Sequence, residues 1–350
     1  MAHRKIEAEI ERLGALREAG PTPATAAALR KSLADRVGLV VAKAAAIASE
    51  LELRELCDDL VEAFDRLMVN PVERDPQCWG KNAIAKALTS LGYRSSGPYL
   101  RGARHVQMEP VWNGQEDTAS TLRGICMLGL VTCTDVRRDL VLRHLVDGLT
   151  ESAQTVRIEA VRALAEMGGD EPALLLRLKA RAGDRELPVI AQTFDCLLAL
   201  EGPGAIPFLL DFVNGGNEDV AAEAAVSVGS SRLPEAVEAL AAAWIQTRDP
   251  GLRDAIVRGI SAARQERGFR FLLELVTKGR AADAVAALEA LALHRQTAEI
   301  WRAGRSSGRG GRDSGAGALS KYASKNRIAP RWSLGRSYRH DESRGLLEGG

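Results

Sequence analysis

A small residue followed by a larger apolar one recurs eight times along this 350-residue chain, each time at the end of a helical stripe. The clearest copy is Val156-Arg-Ile-Glu-Ala-Val-Arg-Ala-Leu-Ala-Glu-Met-Gly168, whose residues 156, 160, 163, 164 and 167 line one face of a helix. Its pair, Ala163-Leu164, has counterparts in Ala46-Ile47, Ala87-Leu88, Gly129-Leu130, Cys196-Leu197, Ser227-Val228, Gly259-Ile260 and Ala290-Leu291. Successive spacings are 41, 42, 34, 33, 31, 32 and 31 residues. A period of that size means stacked units, because one helix pair cannot bury its apolar faces alone. Where two helices approach closely only a small side chain fits, and the next residue fills the space beside it.

A second amphipathic helix is expected between anchors. Leu53, Leu56, Leu60, Phe64 and Leu67 mark one, Leu174, Leu175 and Leu178 another, and Ile206, Leu209 and Leu210 a third. Asp75-Pro76 and Asp249-Pro250 read as N-caps followed by proline at the first helical position. Gly92, Gly168 and Gly202 stand where helices should stop. No stretch shows sustained two-residue alternation, so the expected fold is all-α, a right-handed α-solenoid of about eight antiparallel helix pairs. Residues 1–23 read as an amphipathic capping helix, 24–301 as the solenoid and 302–350 as a tail.

Composition agrees. Hydrophobic residues make up 46% and aromatics only 4%, so the core must be Ala, Leu, Val and Ile packed at short distance. The net charge of +1 gives no general attraction to nucleic acid or anionic membrane. The start lacks an apolar signal core, and no segment with the ~18 consecutive apolar residues of a membrane span is expected. The five cysteines, at 57, 78, 126, 133 and 196, form no zinc-like spacing. They read as reduced thiols of a cytoplasmic protein, and no metal or cofactor is expected.

The phrase VRIEAVRALAEMG at intervals of 31–34 residues resembles the short HEAT-like repeat named after phycobilisome lyases, and the longer units around ELRELCDDLVEAFDRLM resemble ordinary HEAT repeats. The resemblance covers roughly residues 24–300. It implies fold strongly and activity weakly, since HEAT-like families include scaffolds, adaptors, chromophore lyases and a few DNA glycosylases. It also implies a ladder in which a basic residue early in the second helix pairs with an acidic residue in a turn. Lys81, Arg123, Arg157 and Arg253 hold that place, whereas Ile190, Ala221 and Ala284 do not.

The resemblance further implies that the second helices line the concave face. Residues flanking their core stripes include three basic ones, Lys86, Arg162 and Arg258, against five acidic ones, Glu159, Glu166, Asp195, Glu223 and Glu289. A nucleic-acid groove needs a basic stripe, which is missing, so a nucleic-acid partner for residues 1–301 is not expected. A protein partner is expected instead.

One stretch differs in composition from the rest: His105-Val-Gln-Met-Glu-Pro-Val-Trp-Asn-Gly-Gln-Glu-Asp-Thr-Ala119. Ile125 and Leu128 form an apolar pair on the inner face, and Val106, Met108, Val111 and Trp112 are suited to fold back over them. Glu116 and Asp117 would then cap the following helix. The alternative is a pocket under this loop built from Trp79, His105, Gln107, Glu109 and Trp112, in which His and Glu do acid–base work. No nucleophile stands at motif spacing from a base, so an enzyme is the second reading. Trp112 as a protein-contact anchor is a third use of the same loop. From Arg302 on, the chain is rich in Gly, Ser and Arg, with 11 Lys and Arg against 4 Asp and Glu. Set against the overall +1, that surplus of seven leaves residues 1–301 about six charges negative. The tail reads as disordered, with a basic arm, a neutral extension or a shifted reading frame as its possible meanings. The expected function is therefore a scaffold or adaptor binding a protein partner on the concave face, with a lyase-like or other enzyme using a pocket under the 105–117 loop as the alternative and a nucleic-acid binder acting through the basic tail as the third reading.

Overall fold

The computed structural model describes residues 2–294; the tail from 302 lies outside them. An opening helix, α1 (Ala2–Ala19), packs against α2 and α3 and buries Leu13. Helix pairs then follow in chain order: α2 (Pro23–Leu33) with α3 (Gly38–Glu50), and α4 (Cys57–Leu67), a short turn α5 (Pro71–Arg74) and α6 (Trp79–Ser90). Next come α7 (Gly97–Ala103) with α8 (Ser120–Val131), α9 (Arg138–Leu149) with α10 (Gln154–Met167), and α11 (Asp170–Ala182) with α12 (Leu187–Glu201). The last pairs are α13 (Ile206–Val213) with α14 (Glu218–Ser230), α15 (Ala236–Gln246) with α16 (Pro250–Ala262), and α17 (Glu266–Lys278) with α18 (Ala281–Ala292).

The second helices touch in strict succession, α3 to α6 to α8 and on to α18, forming one layer of an all-α solenoid. First helices form the other layer, with α2 on α4, α4 on α7, α9 on α11, α13 on α15 and α15 on α17. Every expected anchor lies in a second helix, and Ala87, Gly129, Ala163, Cys196, Ser227, Gly259 and Ala290 are buried there. The first anchor is displaced by one residue. In α3 the buried face is Val40, Val41, Ala44, Ala45, Ile47 and Ala48, so Ala46 is only half-buried and Ile47 takes the interhelical slot. At α14 and α16 the approach is closest, since a Cβ on Gly229 would meet the carbonyl oxygen of Gly259 at 1.8 Å.

Three local expectations change. Leu174 and Leu178 are exposed, and α11 instead buries Pro172, Leu176 and Ala180, a stripe of four-residue steps that includes one leucine rather than three. Asp249 caps α16 as its motif predicts, accepting from the Leu252 amide at 2.6 Å, but α6 starts only at Trp79, after a kinked turn. The stretch Leu187–Val213 is long and apolar enough by composition to cross a membrane. Here it is two helices broken at Gly202-Pro203, and Ile190, Phe194, Leu197 and Leu209 lie in the common core.

Candidate functional site

The odd stretch after α7 is a β-hairpin, β1 (Met108–Val111) antiparallel to β2 (Gly114–Asp117), with Trp112 and Asn113 at its turn. Alternation was present in the sequence after all, but with the usual polarity reversed. Gln107 and Glu109 point inward and are buried, with His105 half-buried beside them, whereas Val106 and Met108 point to solvent. Val111 is also exposed, and Trp112 is 99% exposed. The loop is therefore not a lid on Ile125 and Leu128. Those two are already partly buried against the core without it.

A dense polar network holds the hairpin base. Gln107 donates through Nε2 to the carbonyl of Asp75 at 2.9 Å and to Glu109 at 2.6 Å. Its Oε1 faces His105 Nε2 at 3.1 Å and accepts from the Cys78 thiol at 3.3 Å. Glu109 Oε1 accepts from the Gln77 amide at 2.6 Å and the Thr118 hydroxyl at 2.7 Å as well. Across the mouth, the Thr118 amide donates to the Gln107 carbonyl at 2.9 Å. Gln77 and Cys78 are both left-handed, with φ of 57° each, a conformation disfavoured for residues with a Cβ. The Glu109 carboxylate and the Asp75 backbone carbonyl hold that turn by taking the Gln77 and Cys78 amides.

Asp75 starts the ladder. Its carboxylate accepts from the amides of Gly80 at 2.6 Å and Lys81 at 2.9 Å, and pairs with Lys81 Nζ at 3.0 Å, both side chains fully buried. One unit on, Asp117 accepts from the Ala119 amide (3.0 Å) just ahead of α8, takes the Gln107 amide, and pairs with Arg123 at 2.6 Å. Neither expected cap forms: Glu116 is exposed, α8 has no side-chain cap at its N-cap residue Ala119, and Asp117 is spent on Arg123 and the two amides. Arg123 also donates to the His105 carbonyl at 3.0 Å and reaches Glu151 at 3.5 Å. Arg157 takes the Glu151 and Ser152 carbonyls at 2.8 Å each and pairs two-fold with Asp184, which Lys179 contacts at 2.7 Å. The run stops at Ile190 and Ala221, then resumes where Arg253 pairs with Asp283 at 3.1 Å and stacks over Trp244. All four expected basic residues are in the ladder. Their acidic partners were missed as a set, although Asp75 and Asp117 each stand six residues before their partner.

The remaining candidates separate. Trp79 is exposed and lines a cleft of about 320 Å³ with Leu39, Glu73 and Arg74, beside the turn that carries Asp75 and Gln77, without joining their hydrogen bonds. Lys86 is exposed, Arg162 pairs with Glu159 at 2.8 Å and meets Gln192 at 2.9 Å, and Arg258 pairs with Asp254. The structure therefore brings His105, Gln107 and Glu109 together and leaves Trp79 and Trp112 outside their network. Burial pushes the Cys78 thiol up to about 11 and lowers the His105 pKa, so both are neutral near pH 7. Burial would raise the Glu109 pKa too, but hydrogen bonds from Thr118, Gln107 and the Gln77 amide hold it below the usual carboxylate value. A charged acceptor, a neutral thiol and a neutral imidazole saturating one amide make a clamp. Among the described residues no group of three or more His, Cys, Asp or Glu side chains is placed to hold a metal ion.

No curated protein matches the chain. Among solved structures, human deoxyhypusine hydroxylase in complex with glycerol is similar at 17% identity, with a TM-score of 0.28, over 74% of this chain and 90% of that one. Residues 206–292, the last three helix pairs, match the family model of HEAT repeats. Over its described residues the chain is a solenoid of stacked helix pairs, and its residues 206–292 are HEAT repeats.

Proposed function

We propose that this protein is a docking scaffold for a protein partner and that the inverted hairpin is its contact element. The observation that carries this reading is the orientation of the hairpin: polar residues are spent inward on a clamp, while Val106, Met108, Val111 and Trp112 face water together. Such a display has no folding benefit, and rigid exposed aromatics are the usual anchors of protein interfaces. The mixed charges on the second helices support the same reading. Arg162 and Arg258 are already paired with carboxylates, which is unsuited to a groove that must neutralise phosphates in series. The enzyme reading has less support, because Gln107 hydrogen-bonds both His105 and Glu109, the two groups that acid–base work would need free.

The test compares proteins captured by the wild-type chain, by Trp112→Ala and by Leu178→Ala, followed by direct binding measurements with the purified partner. Loss of that partner from Trp112→Ala alone, at unchanged melting temperature, is the expected result. An unchanged captured set for Trp112→Ala refutes the hairpin as the contact element.

A further inference from the structure

Four second helices end on a left-handed residue two positions past their last turn: Glu52, Gly92, Arg232 and Arg264, with φ of 54°, 74°, 55° and 54°. Glycine is the ordinary occupant of this slot because it has no Cβ to clash. In two consecutive units the slot instead carries arginine, which places both guanidinium groups at the same end of neighbouring helices. The two turns are tied to each other, since Gln265 Nε2 donates to the carbonyls of Arg232 at 3.2 Å and Leu233 at 2.7 Å.

These arginines line a depression of about 330 Å³ together with Arg258, Ser230, Ser261 and His294. Arg258 has a carboxylate partner in Asp254, whereas Arg232 and Arg264 have no ion pair with a described residue. Ser261 spends its hydroxyl on the Ala290 carbonyl, which leaves the Ser230 hydroxyl exposed toward the same space. Burial and the charge of Arg264 both lower the His294 pKa, as expected beside a concentration of positive charge.

We propose that this depression between the ends of α14, α16 and α18 is a binding site for a phosphate monoester group. Two guanidinium forks without an ion pair among the described residues, and one free hydroxyl, match a dianion with three acceptor oxygens better than a single carboxylate. The group could be carried by a phosphorylated side chain of a protein or by a small phosphorylated metabolite, and the chemistry recognised is the same. This site is separate from the hairpin and does not depend on the scaffold reading.

The experiment titrates the full chain with a phosphoserine tripeptide, with its unphosphorylated form and with glucose 6-phosphate, by calorimetry at low salt. Saturable binding of at least one phosphorylated probe and none of the plain peptide is expected, and the tighter of the two probes assigns the source. The positive surplus of residues 302–350 makes the variants decisive. Arg232→Gly and Arg264→Gly should each weaken binding about 10-fold or more, the loss of a charge-assisted contact. Each should also leave the melting temperature unchanged or raise it by about 1–3 °C, since glycine relieves the left-handed turn. Binding that survives in the double glycine variant, equal binding of the plain peptide, or a fall in melting temperature for either variant overturns the proposal.

Discussion

Glu109 and Trp112 lie three residues apart on one hairpin and should respond to truncation in opposite ways. Trp112→Ala removes a side chain that is 99% exposed, so unfolding free energy should change by no more than about 0.5 kcal/mol in a urea melt. Glu109→Ala leaves the Gln77 amide, the Gln107 side chain and the Thr118 hydroxyl without their shared acceptor, and should cost about 2–3 kcal/mol. A loss on Trp112→Ala larger than that on Glu109→Ala would restore the lid that the sequence suggested. Asp184 supplies a pH test. Burial would raise its pKa, yet Arg157 and Lys179 hold it at about 2, below the ordinary 3.8. A carboxylate depressed on folding contributes stability above its unfolded pKa and loses it as pH falls through the folded one. Asp184→Asn should therefore be destabilised at pH 7, and the gap to wild type should close between about pH 4 and pH 2. A constant gap over that window would mean the pair contributes nothing.

At the scale of elements, the interhelical slot and the ladder are separable by mutation. Ala163→Leu overpacks the contact of α10 with its neighbours and should cost about 1–3 kcal/mol in a thermal melt. Gly229→Ala should be worse than its size suggests, because the added methyl meets main chain of α16, which cannot rotate aside as a side chain would. A melt of Gly229→Ala within 1 °C of wild type would disprove that backbone contact. The anchors were legible because helix contact leaves a periodic trace of small residues. Ala46 was misregistered because α3 offers Ala at 44, 45, 46 and 48, so size could not choose among them. The hairpin was invisible for a different reason: pattern rules assume apolar residues turn inward, and here Gln107 and Glu109 do so. The paired carboxylates of the ladder were missed because each partner belongs to a turn, where no period marks it.

For the whole molecule, the ladder divides the solenoid unevenly. From Asp75 to Asp184 buried charged pairs join successive turns, while Ile190 and Ala221 interrupt them, and there the units are joined by the exposed pair Arg181–Asp211 at 2.6 Å. In a stack whose stability is a sum over neighbours, and where exposed pairs contribute little, the joint without a buried ion pair should open first. Native-state hydrogen exchange should find amides of residues 214–219 less protected than those of 183–188. Equal protection at both joints would deny the ladder any stiffening role.

The hairpin also has a meaning for the chain's capacity to change. Its two strands enter and leave side by side, closed by the bond between the Thr118 amide and the Gln107 carbonyl, and everything that fixes it sits below Pro110. The turn beyond, residues 111–114, touches nothing the fold needs. Another loop could be spliced in there with no adjustment of the solenoid, so, on the docking role proposed above, a lineage or a protein engineer could exchange the partner while inheriting the same mount.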